Sequence, residues 1–324
     1  MTYIILIAGL CLLLLGADKL VDSSVAIAQK AKISNFIIGI TIVGMGTSSP
    51  ELFVSLSSAI AGKGDLALGN VLGSNICNTL LILGTTAIIL PFAITRPNLR
   101  RDIPFAIFTS VIVMLLCLDN IFPHIDDNEI GRIDGIFLLF LFAAYMGYTV
   151  LASKQRGGID AESEELQSPT FFTGKPLWLL IPSAVVSLAV LLYGGNLFLD
   201  SAVEIATELG LSEKVISLTI VAIGTSLPEL ITCIIAARKG NPQLALGNVL
   251  GSNVFNVLFI LGISAVFSPI VLQGINLLDF GMLILGSILT FVFAFTLRKR
   301  IIDRAEGAIL VALYVGYMAY LLMA

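Results

Sequence analysis

Leu66-Ala67-Leu68-Gly69-Asn70-Val71-Leu72-Gly73-Ser74-Asn75 recurs letter for letter as Leu244 through Asn253. Upstream, Gly46-Thr47-Ser48-Ser49-Pro50-Glu51-Leu52 matches Gly224-Thr225-Ser226-Leu227-Pro228-Glu229-Leu230 at the same offset. The later parts of the halves match as well. Arg132-x-Asp134-Gly135 with Tyr145-Met146-x-Tyr148 is echoed by Arg304-x-Glu306-Gly307 with Tyr317-Met318-x-Tyr320. The chain is therefore a whole-length duplication. Its best-matched positions are polar, which a purely structural duplication does not explain.

The surroundings of these blocks are apolar. Hydrophobic residues make up 57% of the 324, charged residues 12%, and the mean hydropathy is +1.00. The apolar runs repeatedly approach the ~20 residues that cross a hydrocarbon core. This composition excludes a sizeable soluble domain and predicts an all-α, multi-pass membrane protein. A net charge of −4 gives no indication of nucleic-acid binding. Cys11, Cys77, Cys117 and Cys233 fall in or beside apolar segments without CxxC spacing, so free buried thiols are expected. Tyr3–Leu15 lacks a basic leader and a clear cleavage site, and reads as the first helix rather than a signal peptide.

Ten spans are predicted: Tyr3–Leu20, Asn35–Ala61, Leu66–Pro91, Ile103–Leu118, Gly135–Ala152, Leu177–Leu199, Val215–Ala237, Leu244–Pro269, Leu278–Thr296 and Gly307–Met323. The expected organisation is a first five-helix repeat over 1–152, a polar linker over 153–175 and a second repeat over 176–324. Five spans per unit is odd, so the second copy enters the membrane upside down, as in many transporters. Most Lys and Arg fall on one side of such a bundle, from Lys30 and Lys32 through Arg300 and Arg304. Lys63, Arg132 and Lys214 fall on the other. The positive-inside rule then puts the linker in the cytoplasm of a cell-membrane protein, with both termini outside. Asp160, Glu162, Glu164 and Glu165 make the linker acidic. Asp119, Asp126, Asp127, Glu129, Asp200 and Glu204 do the same for the outer face, either as a cation-concentrating surface or as ordinary solvated loops.

Glu51 and Glu229 lie within apolar spans. A carboxylate there costs at least about 2.5–3.5 kcal/mol on insertion scales and calls for a functional reading. No Lys or Arg lies mid-span to pair with either. Pro50 and Pro228, with Gly46 and Gly224, are expected to unwind a turn just before each glutamate. The freed carbonyls would be tolerable only against a protected polar cavity. Carbonyl, hydroxyl and carboxylate oxygens favour hard cations such as Ca²⁺ and Na⁺. His124 falls in a predicted loop, so imidazole ligation is not expected. Asn70, Ser74 and Asn78 form an i, i+4, i+8 stripe, repeated as Asn248, Ser252 and Asn256. Of these, Ser74, Ser252, Asn78 and Asn256 are the candidates to touch an ion, whereas Asn70 and Asn248 read as interhelical glue. Gly69, Gly73, Gly247 and Gly251 read as close helix packing.

The paired segments GTSSPE…GNVLGSNICN and GTSLPE…GNVLGSNVFN resemble the α-repeats of the Ca²⁺/cation antiporter superfamily, most closely its prokaryotic Na⁺/Ca²⁺ exchanger branch. The resemblance spans the chain. It implies alternating access driven by the sodium gradient, with the first and sixth spans sliding across the other eight. It implies Glu51 and Glu229 as shared calcium ligands, aided by backbone oxygens of Thr47 and Thr225. It further implies Ser48, Ser74, Ser226 and Ser252 at flanking sodium sites, with carbonyls near Gly44 and Ala222, and Asn78 and Asn256 at the centre. Some relatives, including the potassium-dependent branch, carry Asp where Asn256 stands, which argues against potassium co-transport. The linker is too short for the regulatory calcium-binding domains of animal exchangers.

The expected function is secondary antiport of Na⁺ for Ca²⁺ rather than an enzymatic reaction. No cofactor is expected beyond the transported ions, nor any partner beyond the bilayer, and a monomer is compatible with the site. One Ca²⁺ or two Na⁺ would balance two carboxylates, and a third Na⁺ would make exchange electrogenic. Ca²⁺/H⁺ exchange at the same site stays open, as does a cation channel with a glutamate pair in its pore.

Overall fold

A computed structural model describes residues 1–117, 129–156, 172–210, 222–272, 277–298 and 300–323. The predicted loop at 119–127, most of the linker and the start of the seventh predicted span lie outside these residues. The described chain is helical: α1 (Thr2–Ala31), α2 (Asn35–Thr47), α3 (Ser49–Ile60), α4 (Gly64–Ile89), α5 (Ile103–Leu116) and α6 (Arg132–Arg156). The second half repeats them as α7 (Leu177–Glu208), α8 (Ala222–Thr225), α9 (Leu227–Arg238), α10 (Pro242–Phe267), α11 (Leu277–Phe293) and α12 (Arg304–Met323). Among the described residues, six helices are long and apolar enough to cross a membrane, or seven if α2 and α3 count as one bent span. α5 is shorter than its predicted span. α1, α6 and α7 run beyond theirs, so the predicted linker begins inside α6.

α1 and α7 pack along their length. A Cβ on Gly9 would meet Phe198 N at 2.7 Å, one on Gly194 would meet Leu13 N at 2.4 Å, and one on Gly16 would meet Leu191 N at 2.4 Å. Numbers rise on one helix as they fall on the other, so the pair is antiparallel. Small residues let the two backbones touch where side chains would hold them apart. The remaining helices interlock. α4 meets α12 at Gly84 and Gly307, and α10 meets α6 at Gly262 and Gly135; in each pair a carbonyl lies 2.6–3.1 Å from where a Cβ would stand. Two ribbons repeat the exchange. β1 (Phe92–Ala93) pairs antiparallel with β4 (Ile301–Ile302), and β2 (Glu129–Ile130) with β3 (Ile270–Val271). α4 of the first half is thus packed against α12 of the second, and α10 of the second against α6 of the first.

Between α3 and α4, Gly62 adopts φ 71°, and Gly240 repeats the turn between α9 and α10 at φ 75°. A side chain is strained there, which explains glycine at both positions. The tight turns set α3 against α4 and α9 against α10, facing the centre of the molecule.

Candidate functional site

Each glutamate opens a helix. α2 ends at Thr47, Ser48 takes φ −80° and ψ 12°, and α3 restarts at Ser49 with Pro50 in its first turn; the two axes differ by 48°. Ser226 repeats this at φ −87° and ψ 8° ahead of Pro228 and Glu229. The break is a one-residue kink, which corrects the expected unwound turn. Ser48 N still donates to Gly44 O at 3.2 Å, and Leu52 N to Ser48 O at 3.1 Å. Pro50 has no N–H for the carbonyl of Gly46; a backbone N–H at the break donates to that carbonyl instead, and Ser49 Oγ adds a second bond at 2.7 Å. Leu227 offers no hydroxyl to the matching carbonyl of Gly224. This gives the Ser49/Leu227 difference a physical meaning.

The helices flanking the site also carry π-turns, over Gly39–Gly44 in α2, Cys77–Ile82 in α4 and Phe255–Ile260 in α10. Such turns cluster at functional sites because they re-aim side chains within a helix.

Glu51 and Glu229 are each 1% exposed. Their partners come from both halves. Ser48 Oγ donates to Glu229 Oε1 at 3.0 Å, while Ser226 Oγ and Ser74 Oγ each reach Glu51 Oε1 at 3.4 Å. The other oxygen of each carboxylate, Oε2, has no hydrogen-bond partner among the described residues, and the same holds for Asn78 Oδ1 and Asn256 Oδ1. Leaving a buried acceptor unpaired is costly, and two unpaired carboxylate oxygens more so. These four buried oxygens, two of them on carboxyl groups, are of the kind that a hard cation takes as ligands.

The remaining expected residues assemble around this centre. Thr47 Oγ1 donates to Val43 O at 2.9 Å and reaches Asn248 Oδ1 at 3.3 Å. Ser252 Oγ donates to Gly44 O at 3.2 Å, so that carbonyl is engaged rather than free. Thr225 is buried at the end of α8, and Ala222 starts that helix. Asn70 ties α4 to α3 through Glu51 O and Ser55 Oγ, and Asn248 reaches Cys233 Sγ at 3.2 Å; both act as the expected glue. Of the four glycines, Gly247 and Gly251 do bring backbones together. Their Cβ atoms would lie 2.2 Å from Phe36 O and 2.5 Å from Ile40 Cα. Gly69 and Gly73 face nothing within 4 Å among the described residues, and the segment that repeats Phe36 and Ile40 lies outside them.

The reading of the stripe passed over Asn75 and Asn253. They lie one residue off its face, yet they bond across the halves. Their signal in the sequence was identity in both copies at a depth where an amide is expensive. No cluster of three or more His, Cys, Asp or Glu occurs among the described residues; the side chains that reach Glu51 and Glu229 are the serine hydroxyls of both halves.

A multi-pass helical bundle that buries two carboxyl groups among hydroxyls and amides from both halves of the chain has the architecture of an ion transporter. The chain belongs to the sodium/calcium exchanger protein family, which matches residues 1–151 and 179–323. It is 30% identical over 351 residues to the sodium/calcium exchanger MaX1 of Methanosarcina acetivorans, covering 98% of each chain. It is 38% identical over 271 residues to the inner membrane protein YrbG of Escherichia coli, covering 82% of this chain and 79% of that one. A solved structure of the sodium-calcium exchanger NCX_Mj, soaked with 2.5 mM Na⁺ and 0.1 mM Ca²⁺, is similar at a TM-score of 0.82 and 30% identity, across 98% of this chain and 97% of that one.

Proposed function

We propose that the chain exchanges Na⁺ for Ca²⁺ by alternating access at one pseudo-symmetric site. The observation that carries this reading is the set of four buried oxygens without partners: Glu51 Oε2, Glu229 Oε2, Asn78 Oδ1 and Asn256 Oδ1. Calcium is held between the two glutamates. Sodium takes the flanking positions of Ser48, Ser74, Ser226 and Ser252, with Thr47, Thr225 and the carbonyls near Gly44 and Ala222. Either load neutralises the carboxylates, so the ions compete, and the empty cavity resists crossing because two bare charges would face a low dielectric.

The topology we infer is ten spans in two inverted repeats, 1–152 and 176–324, joined by a cytoplasmic linker, with both termini outside the cell membrane. The antiparallel run of α1 against α7 supports inversion, since these helices begin their respective repeats. Their packing on each other supports movement of the two as one body.

The test is ⁴⁵Ca²⁺ uptake into proteoliposomes driven by an outward Na⁺ gradient, with Glu51→Gln and Glu229→Gln as controls. Uptake should require the gradient and both glutamates. Uptake indifferent to sodium but driven by a pH jump would assign the coupling to protons. Survival of uptake in both variants would overturn the site.

A further inference from the structure

Asn75 and Asn253 reach across the molecule to the central asparagines of the opposite halves. Asn256 Nδ2 donates to Asn75 Oδ1 at 3.0 Å, and Asn75 Nδ2 donates to the backbone carbonyl of Asn253 at 3.0 Å. Asn78 Nδ2 donates to Asn253 Oδ1 at 3.2 Å, and Asn253 Nδ2 donates to Thr79 Oγ1 at 2.7 Å. Asn75, Asn78 and Asn256 are at most 1% exposed, and Asn253 is 5% exposed.

An amide has a donor end and an acceptor end, and the acceptor end alone can bind a cation. Which end Asn256 shows to the cavity depends on where its chain of bonds stops. That chain stops at a backbone carbonyl, which cannot donate. Turning Asn75 over would set oxygen against oxygen, and turning Asn256 would set NH₂ towards the cation and oxygen against Asn75 Oδ1. The polarity of this chain is therefore fixed by the backbone. The Asn78 chain stops at a hydroxyl, which both donates and accepts, so its polarity can reverse. Val257 occupies the place of Thr79 in the other copy, and the difference is built into the sequence.

We propose that Asn75 and Asn253 are positioning residues, each turning the carbonyl oxygen of the opposite half's central asparagine towards the transported cation, and that this hold is rigid on Asn256 and reversible on Asn78. The assignment rests on the reading of Asn78 and Asn256 as ligands of the shared site. Neither half sets its own amide ligand. Both are set where α4 and α10 meet.

The test is a double-mutant cycle on Ca²⁺ binding, measured by titration calorimetry on the purified chain. Asn75→Leu removes the acceptor while keeping the number and branching of side-chain heavy atoms, and should weaken Ca²⁺ binding about tenfold or more, the scale of one lost bond to an ionic centre. In an Asn256→Asp background both outer atoms are oxygens, so Asn75→Leu should cost less than about twofold there. Equal losses in the two backgrounds would overturn the assignment and leave Asn75 as a tie between the halves. If the leucine variant does not fold, Asn75→Ser replaces it, since its shorter side chain cannot reach Asn256 Nδ2, and the same non-additivity is required. Thr79→Val supplies the other arm. Its loss should be rescued by Asn78→Asp and not by Asn256→Asp, and rescue by both or neither counts against the proposal. Sodium-driven uptake by the unmodified chain is measured in parallel. Its absence, with binding and the cycle intact, would count against exchange and leave the positioning role standing.

Discussion

Gly251→Ala tests how closely the ion site depends on backbone contact between helices. A Cβ on Gly251 would lie 2.5 Å from Ile40 Cα and 2.7 Å from Ile40 O. Carbon atoms rest about 3.5–4.0 Å apart, so α10 and α2 must part by about 1 Å. Overpacking of this kind costs about 1–3 kcal/mol of stability. The same two helices carry Ser252 Oγ to Gly44 O at 3.2 Å and Thr47 Oγ1 to Asn248 Oδ1 at 3.3 Å. A further ~1 Å takes both beyond hydrogen-bond range. α2 also delivers Ser48 to Glu229, and a misplacement of about 1 Å at a preorganised site can cost about a hundredfold. Gly251→Ala should therefore lower the melting temperature in detergent and weaken Ca²⁺ binding about tenfold to a hundredfold. Gly147→Ala is the control. Among the described residues its Cβ would meet nothing within 4 Å, so it should bind Ca²⁺ as the unmodified chain does and gain up to about 1 kcal/mol of helix propensity. Unchanged affinity and melting temperature in Gly251→Ala would refute the reasoning.

Ser48→Ala should weaken Ca²⁺ binding more than Ser226→Ala, because Ser48 bonds Glu229 at 3.0 Å and Ser226 reaches Glu51 only at 3.4 Å; calorimetry on the two variants ranks them, and the reverse order contradicts the geometry. Lys239 Nζ lies 2.6 Å from Asp18 Oδ1 and 2.7 Å from Asp22 Oδ1, joining the end of α9 to α1. Lys239→Met strands the nearly buried Asp22 and should cost about 1–3 kcal/mol of stability, with Asp22→Asn recovering part of the lost melting temperature. Ser49→Ala should cost about 0.5–1.5 kcal/mol by removing the side-chain donor of the two that reach the Gly46 carbonyl, and a melting temperature identical to that of the unmodified chain would show that this hydroxyl does not cap it.

The sequence makes the duplication, the apolar spans and the two intramembrane glutamates readable for one physical reason. A bilayer forces long apolar runs and makes each buried polar group conspicuous. The 70/74/78 stripe was readable because helix periodicity predicts a face. Asn75 and Asn253 were passed over because they sit off that face and gain their role only from the crossing of α4 and α10. The kink at Ser48 is milder than Pro50 and Gly46 suggest, because proline fits the first turn of the helix that restarts there. Gly247 and Gly251 carry the same local sequence as Gly69 and Gly73. No reading of one strand of text tells which backbone will lie against them. The interlock of α4 with α12 and of α10 with α6 is likewise a property of long-range packing, fixed at Gly84, Gly307, Gly135 and Gly262.

The central claim is a single site that Ca²⁺ and Na⁺ occupy in turn. Ion density in crystals soaked alternately in Ca²⁺ and Na⁺ tests it most directly. The account predicts one Ca²⁺ between Glu51 and Glu229, bounded by the side-chain oxygens of Asn78 and Asn256, and displaced as Na⁺ rises and fills the flanking serine positions. Calcium density away from the two glutamates, or density between them that persists unchanged in saturating Na⁺, would contradict it.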